Sequence, residues 1–277
     1  MFLDKILNTE RPYLNGRAVA GRNKQLTQAT EKLEEECTIR RVKTGVQGLD
    51  KILKGGIPSK SILLVCGGPG AGKTIMTLQY LVTLAECGEP VVYVSLEESM
   101  IKKRENALAF NWDIEKYEKT GLLKVLDLYT VPNPRGPASI IDRVSGRKLF
   151  NLRKAVAEAV ETIDAEHVIL DPITSILVHE PRSSKKRLII SRLFDTIRDL
   201  GCTALITSET LPDENNFYLE HFLADGIFYL RSSIINYNLI KTIHIEKMRG
   251  TMFDDQPHRY LITPKGLQVF PSEPVIV

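Results

Sequence analysis

The sequence predicts an α/β fold with a mostly parallel central sheet flanked by helices and a C-terminal patch of antiparallel strands. Up to residue 207, apolar strand-like runs alternate with helix-like segments, an order typical of a parallel sheet covered by helices. The run Ile62–Cys66 is wholly apolar, which indicates a strand buried on both faces. From Gly226 onward, strand-like runs follow one another directly, and these predict the antiparallel patch.

Hydrophobic periodicity and turn residues divide the chain into elements in this order. We predict helices over Ile75–Ala85, Met100–Phe110, Leu152–Ile163 and Leu188–Leu200, and strands over Ile62–Cys66, Pro90–Val94, Leu122–Leu128, His167–Leu170, Thr203–Thr207, Gly226–Leu230, Ile240–Ile245, Tyr260–Ile262 and Leu267–Phe270. Residues 39–277 therefore form the predicted main domain, and residues 1–38 form an arm and a helix before it. That arm is either solvated or docks on a neighbouring subunit through its apolar segment Met1–Leu7.

Composition places the chain among ordinary globular proteins. Its 277 residues are 43% hydrophobic and 26% charged, and the net charge of +3 is too small to imply nucleic-acid binding. The sequence contains no apolar run of the roughly 18–20 residues that span a bilayer and no secretory signal, so we expect a cytoplasmic protein without membrane insertion. The four cysteines lack metal-ligand spacing, which favours buried thiols over disulfides or zinc ligands.

A phosphate-binding loop connects the first apolar strand to a helix. Gly67–Thr74 fits the pattern G-x-x-x-x-G-K-[ST], in which glycines allow backbone N–H groups to approach phosphate oxygens. Lys73 would reach the β- and γ-phosphates, and the Thr74 hydroxyl would bind Mg²⁺. The predicted nucleotide-binding residues are Gly67, Gly68, Pro69, Gly70, Ala71, Gly72, Lys73, Thr74 and Ile75. The pattern does not distinguish ATP from GTP.

Carboxylates end two further strands of the predicted sheet. Asp171 follows the apolar run at 167–170, where we expect a carboxylate that holds Mg²⁺ through a water molecule. Pro172 stands where many ATPases have a catalytic Glu. Glu97 and Glu98, at the end of the next strand along the chain from the loop, are therefore the candidate general bases, because ends of parallel strands face one crevice. The sequence does not decide between them.

Several motifs together resemble the KaiC family of RecA-like ATPases, a superfamily that also contains the RadA recombinases. They are Thr44–Asp50, Gly55–Pro58, Gly67–Thr74, Ser95–Glu98, Ile169–Asp171, Leu223–Ile227, Lys247–Gly250 and Tyr260–Leu267. The resemblance covers roughly residues 39–272 and looks like a single-domain member of the kind found widely in archaea. It implies a RecA-like core and a homohexameric ring that holds ATP and Mg²⁺ between subunits.

The same resemblance assigns roles to three more residues. Lys247 and Arg249 match the family's Lys-x-Arg, which reaches the γ-phosphate of the adjacent subunit. Two cations two residues apart on a strand also share a face, although such a face could instead be solvated and pair with Glu246 or another acid. Ser208, with Glu209, matches the position of a polar group that senses the nucleotide.

We therefore predict a Mg²⁺-dependent, ring-forming ATPase that acts as a regulatory or signalling module on an unidentified protein partner. A RadA-like protein acting on DNA is one alternative, since Val178–Arg187 is basic, but the acidic stretch at 212–216 disfavours it. A Ser/Thr autokinase is the other, with Thr242 or Ser232 and Ser233 as acceptors.

Overall fold

A computed structural model describes residues 40–128, 147–177, 183–211, 218–235 and 237–275. The predicted arm at residues 1–38, the basic loop up to Arg182 and the acidic stretch at 212–216 lie outside these residues. Arg41–Val277 forms one compact unit. Among the described helices, none is both long and apolar enough to cross a membrane.

Eleven strands form the sheets of the described chain. They are β1 Arg41–Val42, β2 Ile57–Pro58, β3 Ile62–Gly67, β4 Val91–Ser95, β5 Leu123–Asp127, β6 His167–Asp171, β7 Thr203–Ser208, β8 Gly226–Ile235, β9 Asn238–Met248, β10 His258–Thr263 and β11 Gly266–Pro274. β1 and β2 make a small ribbon, and the other nine form one sheet in the order β11-β10-β9-β8-β3-β7-β6-β4-β5. Neighbours from β8 to β5 are parallel, and those from β8 to β11 are antiparallel, which confirms the predicted fold class.

Helices cover the sheet and build two apolar cores on it. The described helices are Leu49–Ile52, Lys73–Glu86, Met100–Leu108, Glu115–Lys119, Arg147–Ile163, Thr174–Leu177, Ser183–Asp199 and Leu219–Leu223. Leu63 and Val65 of β3 belong to one core, whereas Ile62, Leu64 and Cys66 belong to the other. The alternation of side chains along a strand thus explains why this run is apolar throughout.

Several of the predicted strands are longer in the structure, among them β8 and β9. β8 continues five residues past the end of the predicted Gly226–Leu230, and β9 begins two residues ahead of the predicted Ile240–Ile245. The two strands pair with each other as far as Ile235 and Asn238. The extension contains polar pairs such as Ser232 with Lys241, which pair through their backbones beyond the apolar core. Polar composition hid this part of the hairpin from a prediction based on hydrophobicity.

The helix ends also differ from those predicted, because polar first turns do not follow the apolar period. The second half of the chain has helices that begin at Arg147 and Ser183, ahead of the predicted Leu152 and Leu188. The helix after β4 ends at Leu108, before the predicted Phe110. The order and type of the predicted elements match the structure.

The direction of the strands decides which residues meet at each edge of the sheet. The carboxyl ends of β3, β4, β6, β7 and β8 lie at one edge, because these strands are parallel. β9 runs the other way: its Ile243 lies level with Gly67, and its Met248 lies level with Leu63. The end of β9 is therefore roughly 15 Å from the loop edge, at about 3.4 Å per residue.

Candidate functional site

The loop between β3 and the helix Lys73–Glu86 has the backbone that its glycines predict. Gly70 and Gly72 have φ angles of 74° and 96°, which residues with a Cβ rarely adopt. A Cβ on Gly67 would lie 2.8 Å from the Leu230 carbonyl oxygen, whereas the space beside Gly68 and Gly70 is open. The loop therefore presents a bare backbone to its surroundings at the start of a helix, an arrangement suited to binding anions.

Side chains from three elements contact this loop. Lys73 is buried and folds back, with its Nζ donating to the carbonyl oxygens of Gly67 at 2.8 Å and Gly68 at 3.2 Å. Lys241 Nζ of β9 donates to the Gly70 carbonyl at 2.7 Å, and the Tyr260 hydroxyl of β10 donates to the Ala71 carbonyl at 2.5 Å. The antiparallel patch thus supports the loop, which the sequence did not predict.

Asp171 is a buried carboxylate that accepts four hydrogen bonds. Its Oδ2 accepts from Thr74 Oγ1 at 3.2 Å, from the Tyr93 hydroxyl at 3.0 Å and from Lys103 Nζ, and its Oδ1 accepts from Thr207 Oγ1 at 2.5 Å. Burial alone would raise the pKa of this carboxyl, but the Lys103 charge and these hydrogen bonds lower it below its usual value. Asp171 is therefore ionised near neutral pH.

Thr74 and Asp171, the two residues predicted to hold Mg²⁺, lie together as the sequence suggested. Their side-chain oxygens are 3.2 Å apart beside the loop, and a hydroxyl with a carboxylate is a donor set that suits Mg²⁺. The described residues contain no cluster of three or more His, Cys, Asp or Glu side chains that could cage a metal. The Thr74 hydroxyl and the Asp171 carboxylate fit Mg²⁺, which usually takes one or two protein ligands together with substrate phosphates.

Glu97 and Glu98 follow β4 at the same edge, because Ser95 pairs with Asp171 of β6. Both glutamates line a cleft of about 440 Å³ together with Pro69, Gly70, Lys73, Thr74, Ser99, Lys102, Lys103, Asp171, Pro172 and Glu209. Partial burial raises the pKa of Glu97, and the nearby charges of Glu209 and Asp171 raise it further. Glu98 instead forms an ion pair with Lys102 at 3.0 Å.

A second cleft of about 500 Å³ adjoins the same loop. It shares Gly70, Gly72, Lys73, Thr74 and Glu98 with the loop region. Its remaining walls are mainly apolar and consist of Ile75, Leu78, Glu105, Asn106, Ala109, Phe110 and Ile262. The loop therefore lines both a charged cleft and a mainly apolar one.

Ser208 and Glu209 stand at the end of β7, next to the loop strand, and point to different surroundings. Ser208 pairs with Cys66 of β3, and its hydroxyl contacts Thr210 Oγ1 at 2.6 Å and Glu220 Oε1 at 3.4 Å. Glu209 lines the charged cleft. Of the two residues, Glu209 is therefore the one that contacts the charged cleft.

Lys247 and Arg249 lie at the opposite edge of the sheet from their own loop. Lys247 Nζ donates to the carbonyl oxygens of Ala224 at 2.5 Å and His221 at 3.3 Å, near the end of the helix Leu219–Leu223. Burial and the neighbouring Arg249 charge lower the pKa of Lys247. Arg249 Nη1 donates to Asp225 Oδ1 at 3.2 Å. The structure thus separates both cations from the loop of the same chain.

Sequence reasoning missed several of the residues that surround Asp171. Tyr93 and Thr207 lie within strands, where apolar composition gives no sign of their hydroxyl contacts. Lys103 did leave a signal, because it occupies the buried stripe Met100, Lys103 and Ala107 of its helix. A cation on the buried face of a helix that follows a carboxylate-bearing strand end indicates an internal ion pair.

Comparisons with known proteins identify the family of the chain. A family model described as "ATPase: KaiC" matches residues 42–274. A UPF0273 protein of Pyrococcus furiosus is 35% identical over 241 residues, which cover 85% of this chain and 96% of the relative. A UPF0273 protein of Thermotoga maritima is also 35% identical, over 85% of this chain and 98% of the relative.

The fold has a counterpart among solved structures. The crystal structure of a KaiC-like protein of Pyrococcus horikoshii superposes with a TM-score of 0.73 at 30% identity, and the match covers 84% of this chain and all of that one. Residues 42–274, which the family model matches, include the phosphate loop, Asp171, Glu97, Glu98 and the end of β9. The chain belongs to the KaiC-like ATPases of the RecA superfamily.

Proposed function

We propose that this protein is a Mg²⁺-dependent ATPase whose active sites lie between the subunits of a homohexameric ring. The observation that carries the proposal is the charged cleft, in which the phosphate loop, Thr74, Asp171 and Glu97 meet. We further propose that ATP binding and hydrolysis change the ring or its contact with a protein partner, so that the protein acts as a regulatory or signalling module in the cytoplasm.

The loop and Lys73 would bind the phosphates. Lys73 Nζ already lies against the Gly67 and Gly68 carbonyls, so it can transfer its donors to phosphate oxygens without leaving the loop. Thr74 and Asp171 would hold Mg²⁺, the latter through water, and the ion would neutralise charge on the β- and γ-phosphates. The apolar cleft beside Ile75 and Phe110 would take the nucleobase.

Glu97 is the residue that we assign as general base. A raised pKa makes its carboxylate a stronger base than an ordinary one, and it faces the same cleft as Asp171. Glu98 carries an ion pair with Lys102 near the start of the following helix, which favours a structural role. With Pro172 directly after Asp171, Glu97 would orient and deprotonate the attacking water.

Lys247 and Arg249 would act on the nucleotide of the neighbouring subunit. Their place at the opposite sheet edge supports this proposal, because a cation there cannot reach the γ-phosphate bound by its own loop. Asp225 holds Arg249 at the surface, where its side chain is 58% exposed. Such a cation would stabilise charge that develops on the phosphate during transfer.

Neither alternative function gains support from the described residues. Thr242, one candidate acceptor for autophosphorylation, is buried within the β8–β9 hairpin. Lys185 and Arg187 are exposed at the start of their helix, but exposed charges at a helix start are common and do not by themselves indicate DNA binding.

Paired carboxamide variants test the proposal. Glu97→Gln should lose ATP turnover by about 10²-fold or more, because general base catalysis typically contributes 10²–10⁴-fold, and should still bind ATP. Glu98→Gln is the matched control and should keep most of the turnover. Steady-state hydrolysis and binding of a fluorescent ATP analogue are the measurements, with Lys73→Ala as the variant that loses binding. Equal turnover in Glu97→Gln and the wild type contradicts the assignment.

A further inference from the structure

Lys103 is a lysine enclosed in the protein interior. Its side chain is 2% exposed, and its Nζ contacts Asp171 Oδ2, whose own side chain is 3% exposed. The same ammonium group lies 3.3 Å from the Tyr93 hydroxyl and 5.3 Å from the centre of the Tyr93 ring. A buried ammonium without an anion would cost much free energy, so this pair is specific and not an incidental surface contact.

The oxygen that Lys103 contacts is the one that faces the phosphate loop. Asp171 Oδ2 also accepts from Thr74 Oγ1 at 3.2 Å, and Thr74 is the second residue that we assign to Mg²⁺. Lys103 itself lines the charged cleft with Glu97 and Glu209. The positive charge of Lys103 is therefore in direct contact with Asp171, the carboxylate that is proposed to hold the metal.

This arrangement has a consequence for cation binding. Asp171 and Lys103 together carry no net charge, so the pair attracts a free cation more weakly than an uncompensated carboxylate does. Phosphate oxygens of a bound nucleotide would supply the negative charge that Asp171 no longer offers.

We propose that Lys103 is a positioning residue that holds and neutralises Asp171, so that Mg²⁺ binds together with the nucleotide and not ahead of it. The inference rests on the proposed function, since it assumes that Asp171 lies beside Mg²⁺ and ATP. It assigns Lys103 a role beyond filling the buried stripe of its helix, because a purely structural lysine would leave the Mg²⁺ requirement unchanged.

Neutral substitutions of Lys103 separate these two roles. Lys103→Met removes the charge and keeps the length of the side chain, and Lys103→Gln removes the charge and keeps a hydrogen-bond donor, in case the first variant does not fold. Lys119→Met is the matched control, because Lys119 is an exposed lysine that pairs with Glu115 and does not line the charged cleft. Binding of a fluorescent ATP analogue is measured at stepwise Mg²⁺ concentrations, and the thermal midpoint is measured with Mg²⁺ alone.

Both neutral variants should bind the analogue at lower Mg²⁺, with the half-maximal concentration reduced about ten-fold by the uncompensated charge. Mg²⁺ without nucleotide should raise their thermal midpoint and leave those of the wild type and Lys119→Met unchanged. A folded variant with an unaltered Mg²⁺ requirement and no Mg²⁺-dependent stabilisation overturns the inference. If the wild type binds no nucleotide but the variants still gain stability from Mg²⁺, the proposed function and the coupling of Mg²⁺ to nucleotide fail, and the neutralisation of Asp171 by Lys103 stands.

Discussion

Replacing Asp171 by asparagine should destabilise the nucleotide-free protein by about 3–5 kcal/mol, the usual cost of breaking a buried ion pair from one side. The change keeps the shape of the side chain but removes the charge that Lys103 neutralises. The substitution also replaces one carboxylate oxygen, a hydrogen-bond acceptor, by an NH₂ group, which is a donor. That NH₂ group then faces hydroxyl donors on Thr74, Tyr93 or Thr207. Both effects leave buried polar groups without partners, and both raise the free energy of the folded state.

Chemical denaturation without nucleotide and with a metal chelator measures this cost. The double variant Asp171→Asn/Lys103→Met removes both charges, so it should recover about 2 kcal/mol or more relative to Asp171→Asn alone. Glu118→Gln is the matched control, since it breaks a partly exposed pair with Arg104 at 2.7 Å and should cost clearly less than Asp171→Asn. An Asp171→Asn cost no larger than that of Glu118→Gln, or a double variant whose cost equals the sum of the single ones, refutes the reasoning.

Two further predictions concern the base and the fold. Since the pKa of Glu97 is raised in the nucleotide-free protein and the base must be ionised, kcat/KM for ATP should fall on acidification at a pH above the ordinary glutamate range near 4.3, as a pH profile of kcat/KM will show. Gln79 connects Gly45 and Leu267 through hydrogen bonds of 2.8 and 2.7 Å, so Gln79→Leu should lower the free energy of unfolding by about 1–3 kcal/mol. Denaturant titration measures this loss of stability, and Gln256→Leu, at an exposed glutamine, is the control. Equal unfolding midpoints for Gln79→Leu and Gln256→Leu contradict the prediction.

Local patterns predicted the phosphate loop and its flanks well. Ile62–Cys66 is apolar because both faces of β3 are buried, and Gly70 and Gly72 are required by positive φ angles. Asp171 could be found because it ends an apolar run. In each case a short stretch of sequence carries the whole physical reason, so no knowledge of the tertiary structure was needed.

Contacts between distant elements could not be predicted in this way. Lys241 and Tyr260 reach the loop from strands about 170 to 190 residues later in the chain, and their partners are backbone carbonyls that leave no trace in the sequence. Lys103 was overlooked because charged residues on a nine-residue helix are usually exposed. The roles of Glu97, Lys247 and Arg249 stay predictions, supported by their places at the two sheet edges.

Mixing two inactive variants tests the central claim, a site shared between neighbouring subunits, most directly. Lys73→Ala removes the phosphate-binding side chain of one subunit, and Arg249→Ala removes the cation offered to the next. In mixed assemblies some interfaces pair an intact Lys73 with an intact Arg249 from the other chain, so ATP turnover should reappear although each variant alone is inactive. Verified mixed assemblies that hydrolyse no more ATP than the separate variants contradict the account.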